Sequence, residues 1–598
     1  MRLTRVLVGL VLWTSLHAAP SMATDARLGI GPHDIDRGDI RLHYVVRDWN
    51  HFTSTFVEEY FSAQPLFAAA AGRHEYDGQF PDWSREGIAN EVVRLKAEHA
   101  AIERIRPDSL TEAQRLERAH LIQVLTEDLF WLDRAQWPFV SPLYYLDRID
   151  PTFYLTSPYA PLEQRVAAYI AYLQGIPRVA SHVKANLRLP LPRSYVERAI
   201  VGFGGYAVFY RNDAPSVFAS VRDEGLQNKL AAATDAAVKA MNELKAFFED
   251  QRKTATQRFA MGPELFAAML SDTEGVEISL DELARIGRAD LERNRAALRG
   301  ACVEFAPQAT MAECIRKMGS HKPQGEPIET ATQQLRKLKT FVESHRIARI
   351  PGSEDASVAE APPFRRGNIA YIMMPGPFET GLTSTYYLSP PDPMWSAAER
   401  AAYVPDEATL SFISSHEVWP GHFLQFLHAK GNPTKTAALW KSYANTEGWA
   451  HYTEELMWET GLGEHHPEYH VSQLVAALLR DVRFLSAIGL HTQGMTLEQS
   501  EQLFRESAYT DEATARQNAM RGTYDPQYLK YTLGKLMILK LREDWTRKLP
   551  PGTDRSTQWF QFHNRFLSYG GLPIPLVRKA MVGDDGSLFE PVSRSGGE

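Results

Sequence analysis

The residues best suited to chemistry are His416, Glu417 and His422, in the segment SFISSHEVWPGHFLQFLHAK. A His-Glu pair on a helix suits metal-assisted hydrolysis. Two imidazoles hold the ion, and the carboxylate takes a proton from the water that the ion activates. The usual second His lies four residues on, one turn away on the same face. Here Pro420 stands at that position and the next His is His422. At about 100° per residue, six steps would turn His422 about 120° from His416 in a regular helix. Pro420 removes a backbone donor and Gly421 permits unusual φ, so the pair can break the helix and let His422 swing round. A third ligand stands in NTEGWAHYTEE, where Glu447 follows His422 by 25 residues. That is room for a loop and an antiparallel helix, and it completes a two-His, one-Glu set with a fourth position open. Gly448 and Trp449 predict a closely approached backbone there, and Glu454 or Glu455 is placed to orient a ligand from behind.

Two other clusters compete. His74-Glu75 has nothing of the kind around it in sequence. Glu464 to His470 puts His466 and His470 four apart, but it follows Gly461-Leu462-Gly463 and reads better as a loop leading into a helix. No Gly-x-Ser-x-Gly elbow is present, which disfavours a serine hydrolase.

The elements that must position these residues are mainly helical. Apolar residues recur at three- and four-residue steps over 109–135, 161–174, 216–250, 330–345, 408–429, 436–459, 469–489 and 528–547. Ser279 to Glu282 and Thr496 to Gln499 are capping-box patterns opening two more helices. Strand signals are confined to Asn368–Met374 and Thr383–Leu388, and 350–367 reads as a loop. The expected architecture is a mainly α fold of two lobes around a cleft, with a small β element near 365–390. One helical unit over 24–598 would comprise an N-terminal lobe (about 40–350) and a metal-bearing lobe (about 360–590).

The chain has 598 residues, 44% hydrophobic, with a formal net charge of −8. These values fit a folded protein with a large core and offer no basic patch, so nucleic acid is not an expected partner. Residues 1–23 read as a secretory signal: Arg2 and Arg5, an apolar run from Val6 to Leu16, then Ser21-Met22-Ala23. The run is too short to span a membrane comfortably, and no later segment does better. The expected location is therefore periplasmic or secreted. No Cys follows the apolar run, which disfavours a lipid anchor. Cys302 and Cys314 are the only cysteines. In an oxidising compartment they either pair as a local clip or stay as two buried thiols.

HEVWPGHFLQ together with EGWAHYTEE resembles the bacterial family known as domain of unknown function 885, whose patterns are HExxPGHxxQ and EGWAxYxE. Phe364–Glu379, Arg483–Thr496 and Arg521–Lys535 resemble further family segments, so the likeness spans about residues 30 to 590. Ala487 and Met495 depart from residues many relatives carry (Asp and Trp), which bears on substrate more than on metal. The resemblance implies a helical, gluzincin-like metallopeptidase with one Zn²⁺ per chain on His416, His422 and Glu447. Glu417 would be the general base. Tyr531, His491, Arg521 and Tyr528 are candidates to stabilise the oxyanion, with Tyr531 first. Arg521 could instead hold a substrate carboxylate. The substrate would be a peptide or small amide. A metal-dependent amidase of non-peptide substrates and a non-catalytic periplasmic binding or assembly protein stay open as alternatives.

Overall fold

The computed structural model describes residues 49–590, except 363, 364, 367, 393, 433, 584 and 585. The segment read as a signal, residues 1–23, lies outside the described residues. The chain divides into two compact units, residues 1–60 and 61–598. In the first, the described residues lie in the helix Trp49–Ala63, where the Trp49 and Phe52 rings stack at 5.4 Å. Every candidate site residue belongs to the second.

The second unit is mainly helical with one small sheet, as the periodicity predicts. Its first half contains α1 (Leu162–Asn186), α2 (Arg193–Asn212) and α3 (Glu224–Gln251), with α3 packed along the other two. The sequence of α3 explains why. Leu230, Ala233, Ala237, Met241, Leu244 and Phe248 recur on one face and are buried, and Asp223 caps the first turn by accepting from Leu226 N–H.

Next come α4 (Pro263–Glu274) and α5 (Leu280–Phe305). Ser279 caps α5 by accepting from Glu282 N–H, but the reciprocal half of the expected box is missing because the Glu282 carboxylate pairs with Arg285. At Thr496 both halves form, with Gln499. Cys302 and Cys314 form a disulfide, with Cα atoms 5.8 Å apart, tying the end of α5 to the helix Met311–Gly319.

The sheet holds β1 (Ser357–Glu360), β2 (Ala370–Met373) and β3 (Thr385–Leu388) in the order β1-β3-β2. β3 runs parallel to β1 and antiparallel to β2, with Tyr371 opposite Tyr387 and Ile372 opposite Tyr386. β2 and β3 are the two expected strands. β1 lies inside the stretch read as a loop: four residues carry too little alternation to register, and the strand exists only through its pairing with distant β3.

The C-terminal half carries α6 (Glu407–Glu417), α7 (His422–Lys430), α8 (Tyr443–Glu459), α9 (Pro467–Thr492), α10 (Glu512–Tyr524) and α11 (Lys530–Thr546). The single helix expected over 408–429 is thus two, and the one over 436–459 is a short turn of helix (Thr436–Leu439) followed by α8. α9 packs on α5, and α8 on α11. The second crossing is close because glycine meets glycine. A Cβ on Gly448 would lie 2.4 Å from Gly534 Cα, and one on Gly534 would lie 1.8 Å from Ala444 O. No described helix is long and apolar enough to cross a membrane.

Candidate metal centre

The break between α6 and α7 brings the two imidazoles together. α6 ends at Glu417, residues 418–421 leave the helical path, and α7 restarts at His422. Gly421 N–H donates back to Ser415 O at 2.9 Å, and a Cβ on Gly421 would fall 1.8 Å from His416 O, so the return demands glycine. The His416 and His422 rings stand 4.8 Å apart, nearly perpendicular. The six-residue spacing converges as the Pro-Gly argument predicts.

α8 supplies the third group. Glu447 Oε2 lies 3.4 Å from His416 Nε2 and 3.6 Å from His422 Nε2. Among the described residues this trio is the one set of three His, Cys, Asp or Glu whose ligand atoms converge, all within 4.8 Å. Four donors around zinc at about 2 Å sit about 3.3 Å from each other, so the spacing fits. Glu447 Oε2 is buried without a hydrogen bond, although two imidazole nitrogens face it. Such an orphaned atom is costly unless something bonds it. A cation among the three donors is the partner that this donor set suits.

The surroundings hold the donors in place. His416 Nδ1 bonds Glu454 Oε1 at 2.7 Å, which leaves Nε2 free to face the centre. Arg480 of α9 braces Glu454 from behind with contacts of 2.8 and 3.1 Å. Trp449 Nε1 donates to Pro420 O at 2.9 Å, locking α8 to the break between α6 and α7, and Gln425 donates to Asn445 at 2.8 Å. The Glu447-Gly448-Trp449 run therefore does three jobs in sequence: facing the imidazoles, letting α11 approach, and holding Pro420.

Burial works against charge on His416, but Glu447 and Glu454 outweigh it and raise its pKa to about 9. Burial also opposes charge on Glu447, yet the two imidazoles hold it well below the usual carboxylate range. Glu454 is likewise depressed against burial, chiefly by Arg480. Glu417 moves the other way. Burial raises its pKa, and the two histidines only partly offset this. Its Oε2 accepts from Ile372 N–H of β2 at 3.0 Å, so the sheet edge fixes the carboxylate. A carboxylate with a raised pKa, anchored beside paired imidazoles, has the properties of a general base.

The other sequence candidates divide. Tyr531 of α11 is at the centre, with its ring 6.5 Å from that of His416. Arg521 is one layer out: it pairs with Asp525 at 2.8 Å and reaches the Tyr443 hydroxyl at 3.5 Å. Tyr443 in turn packs 5.9 Å from Tyr531. His491 is corrected. It lies eleven residues beyond Arg480 on α9, ~16 Å along the axis. Its Nε2–H donates to Gly522 O at 2.8 Å and its Nδ1 accepts from Met261 N–H at 3.3 Å, so both nitrogens bind backbone and neither is left for an oxyanion. Burial pushes its pKa down to about 4, in keeping with a neutral brace. Tyr528 is a fully buried core residue packed on Gly522. The rival His466 caps the start of α9, and His470 stacks on Trp458 at 4.3 Å.

Sequence reasoning missed Arg480, Arg483 and the Ile372 amide. The two arginines had a signal: they interrupt a stretch of α9 in which Ala477, Leu478, Val482 and Phe484 are buried.

The fold has solved relatives. A "putative lipoprotein of unknown function" from Shewanella oneidensis matches with a TM-score of 0.75 at 22% identity, over 90% of this chain and 100% of its own. A "putative lipoprotein" from Colwellia psychrerythraea matches at 0.72 and 18%, over 89% of this chain and 98% of its own. At these identities the likeness is one of fold. No curated protein matches. The sequence profile of one family, described as bacterial protein of unknown function DUF885, covers residues 65–581, and the chain belongs to that family.

Proposed function

We propose that the chain is a zinc-dependent peptidase of the bacterial envelope that hydrolyses short peptides. One observation carries the reading: two imidazoles converge on a carboxylate with an unmatched buried oxygen while a raised-pKa carboxylate, Glu417, is fixed beside them. His416, His422 and Glu447 would hold Zn²⁺, and the gluzincin resemblance of the sequence agrees. Bound there, the ion would supply Lewis acidity at a substrate carbonyl and make nearby water more acidic.

The chain's own groups do the rest. Glu417 takes the proton of the attacking water and hands it to the leaving amine, while Ile372 N–H keeps the carboxylate aimed. Tyr531, beside His416, is the group placed to donate to the carbonyl oxygen as it gains charge. Glu454 and Arg480 keep the His416 ring oriented. The β2 edge lies along the centre, and its backbone can pair with an extended substrate. The envelope location rests on three points: the N-terminal signal pattern, the Cys302–Cys314 disulfide, and solved relatives that are described as lipoproteins.

The test is cleavage of a mixed tripeptide and tetrapeptide set by the purified protein, read by mass spectrometry. Cleavage that a chelator stops and added zinc restores is expected. Cleavage indifferent to the chelator, or none in the zinc-loaded protein, would overturn the reading.

A further inference from the structure

Three guanidinium groups gather around Tyr531, and their counter-charges are unequal. The Cζ atoms of Arg480 and Arg483 lie 5.6 and 5.7 Å from the Tyr531 ring centroid. Arg521 reaches the hydroxyl of the adjoining Tyr443. Arg480 is held by both oxygens of Glu454, and Arg521 is held by Asp525. Arg483 has no such partner among the described residues. It is half-buried, and its one hydrogen bond among the described residues goes to the neutral Oδ1 of Asn518, at 2.9 Å. It forms no ion pair among those residues. A guanidinium carries five donor hydrogens in a fork that matches a carboxylate, and most of this fork is unused. Burial, then the neighbouring charge of Arg521, pushes the Arg483 pKa down to about 10.

Arg521 faces open space. It lines, with Asp525, Asp147, Arg365 and Tyr371 of β2 among others, a cavity of about 1000 Å³ that mixes acidic and basic groups. Tyr371 adjoins Ile372, which anchors Glu417. The cavity thus reaches Arg521 and the neighbour of Ile372. The ring distances put the Arg483 guanidinium no more than about 12 Å from the His416 ring, a span of about three extended residues.

We propose that Arg483, backed by Arg521, binds the free C-terminal carboxylate of a short peptide lying across the His416, His422 and Glu447 centre. The enzyme then removes one to three residues from the C-terminus rather than cutting within a long chain. This inference rests on the peptidase reading, because the subsite gains its meaning from the centre beside it.

Binding can be measured without turnover, on zinc-loaded protein carrying Glu417→Gln. The probes are the tripeptides Ala-Ala-Ala, Ala-Phe-Ala and Ala-Lys-Ala, as free acids and as C-terminal amides, followed by calorimetry. Ala-Glu-Ala amide and acetate separate a side-chain carboxylate and a free anion from the chain terminus. The acids should bind about 30-fold tighter than their amides, as expected when a charge partner is removed from a desolvated pair. Ala-Glu-Ala amide should bind like the other amides, and acetate should compete with the acids. Adding Arg483→Gln should erase the acid preference while leaving amide binding in place, and Arg483→Lys should restore part of it. Equal binding of acid and amide, binding of neither, or a preference untouched by Arg483→Gln would overturn the proposal. The two readings fail separately. Chelator-sensitive cleavage of acid and amide alike would keep the peptidase and remove the subsite. Acid-selective, Arg483-dependent binding in a protein that cleaves neither would keep the subsite and remove the peptidase.

Discussion

Glu454 and Glu455 are neighbours on α8 and belong to opposite kinds of charge cluster. Glu454 faces the candidate metal centre, where it holds His416 and is braced by Arg480. Glu455 faces α5 and α11, where it meets Arg293 at 2.8 Å and Lys535 at 3.4 Å. Lys535 is fully buried and also meets Asp290 at 2.9 Å, and Arg293 pairs with Asp290 at 2.8 Å. In this second cluster the two acids and two bases alternate, each with an opposite charge beside it, pinning α5, α8 and α11 together. In the first, Glu447 faces two imidazoles and no cation, and Arg483 has no counter-ion among the described residues. The difference is one of composition: the second cluster pairs acids with bases, whereas the first gathers two imidazoles on one carboxylate, the donor set a cation suits.

The largest expected effect separates the two clusters by chemistry. Glu417→Gln should lower peptide turnover by about 10²- to 10⁴-fold with zinc content and thermal stability unchanged. Normal turnover in that variant would remove Glu417 as the base. Lys535→Met should do the reverse. It leaves Asp290 and Glu455 to share Arg293 alone, so urea denaturation should show a loss on the order of 3 kcal/mol, while the folded protein still takes up zinc. If Lys535→Met abolished zinc uptake in folded protein, the two clusters would be one.

Glu454→Gln tests the shared border. It should weaken zinc binding by about 10- to 100-fold in a chelator competition and cost less stability than Lys535→Met. A smaller effect comes from pH. Burial opposes the charge of Glu455, but Lys535 and Arg293 win and hold its pKa at about 2, against an ordinary 4.5. A carboxylate depressed on folding stabilises fully above the ordinary value, and that stabilisation is lost as pH falls through the folded value. Melting temperature should therefore drop between pH 4.5 and about 2, and that drop should shrink in Lys535→Met. An unchanged acid profile would show that Glu455 is not held by Lys535.

How much of this was legible in the sequence depends on where each partner lies. That His416, His422 and Glu447 come together was readable because residue type and local spacing survive in one stretch of chain. The break at Pro420-Gly421 was readable too, as it rests on the two residues with special backbones. Its effect on the helix count was missed because apolar periodicity runs through it from 408 to 429. β1 escaped since it pairs only with a strand 28 residues on. His74 shows the same limit: unaccompanied in sequence, it bonds Asp77 and also Glu379, 305 residues away. His491 shows the opposite error, a histidine that the resemblance made a candidate and that backbone groups from two other segments occupy. The division between Glu454 and Glu455 could be posed from the sequence but not decided, because the helices that face each one are set by packing.

The central claim is that His416, His422 and Glu447 hold a metal, and metal content tests it most directly. The mature protein, dialysed and loaded with zinc, should carry about one equivalent per chain. His416→Ala and Glu447→Ala, confirmed as folded by circular dichroism, should carry none. Zinc absent from the loaded parent protein, or retained in full by both variants, would contradict the account.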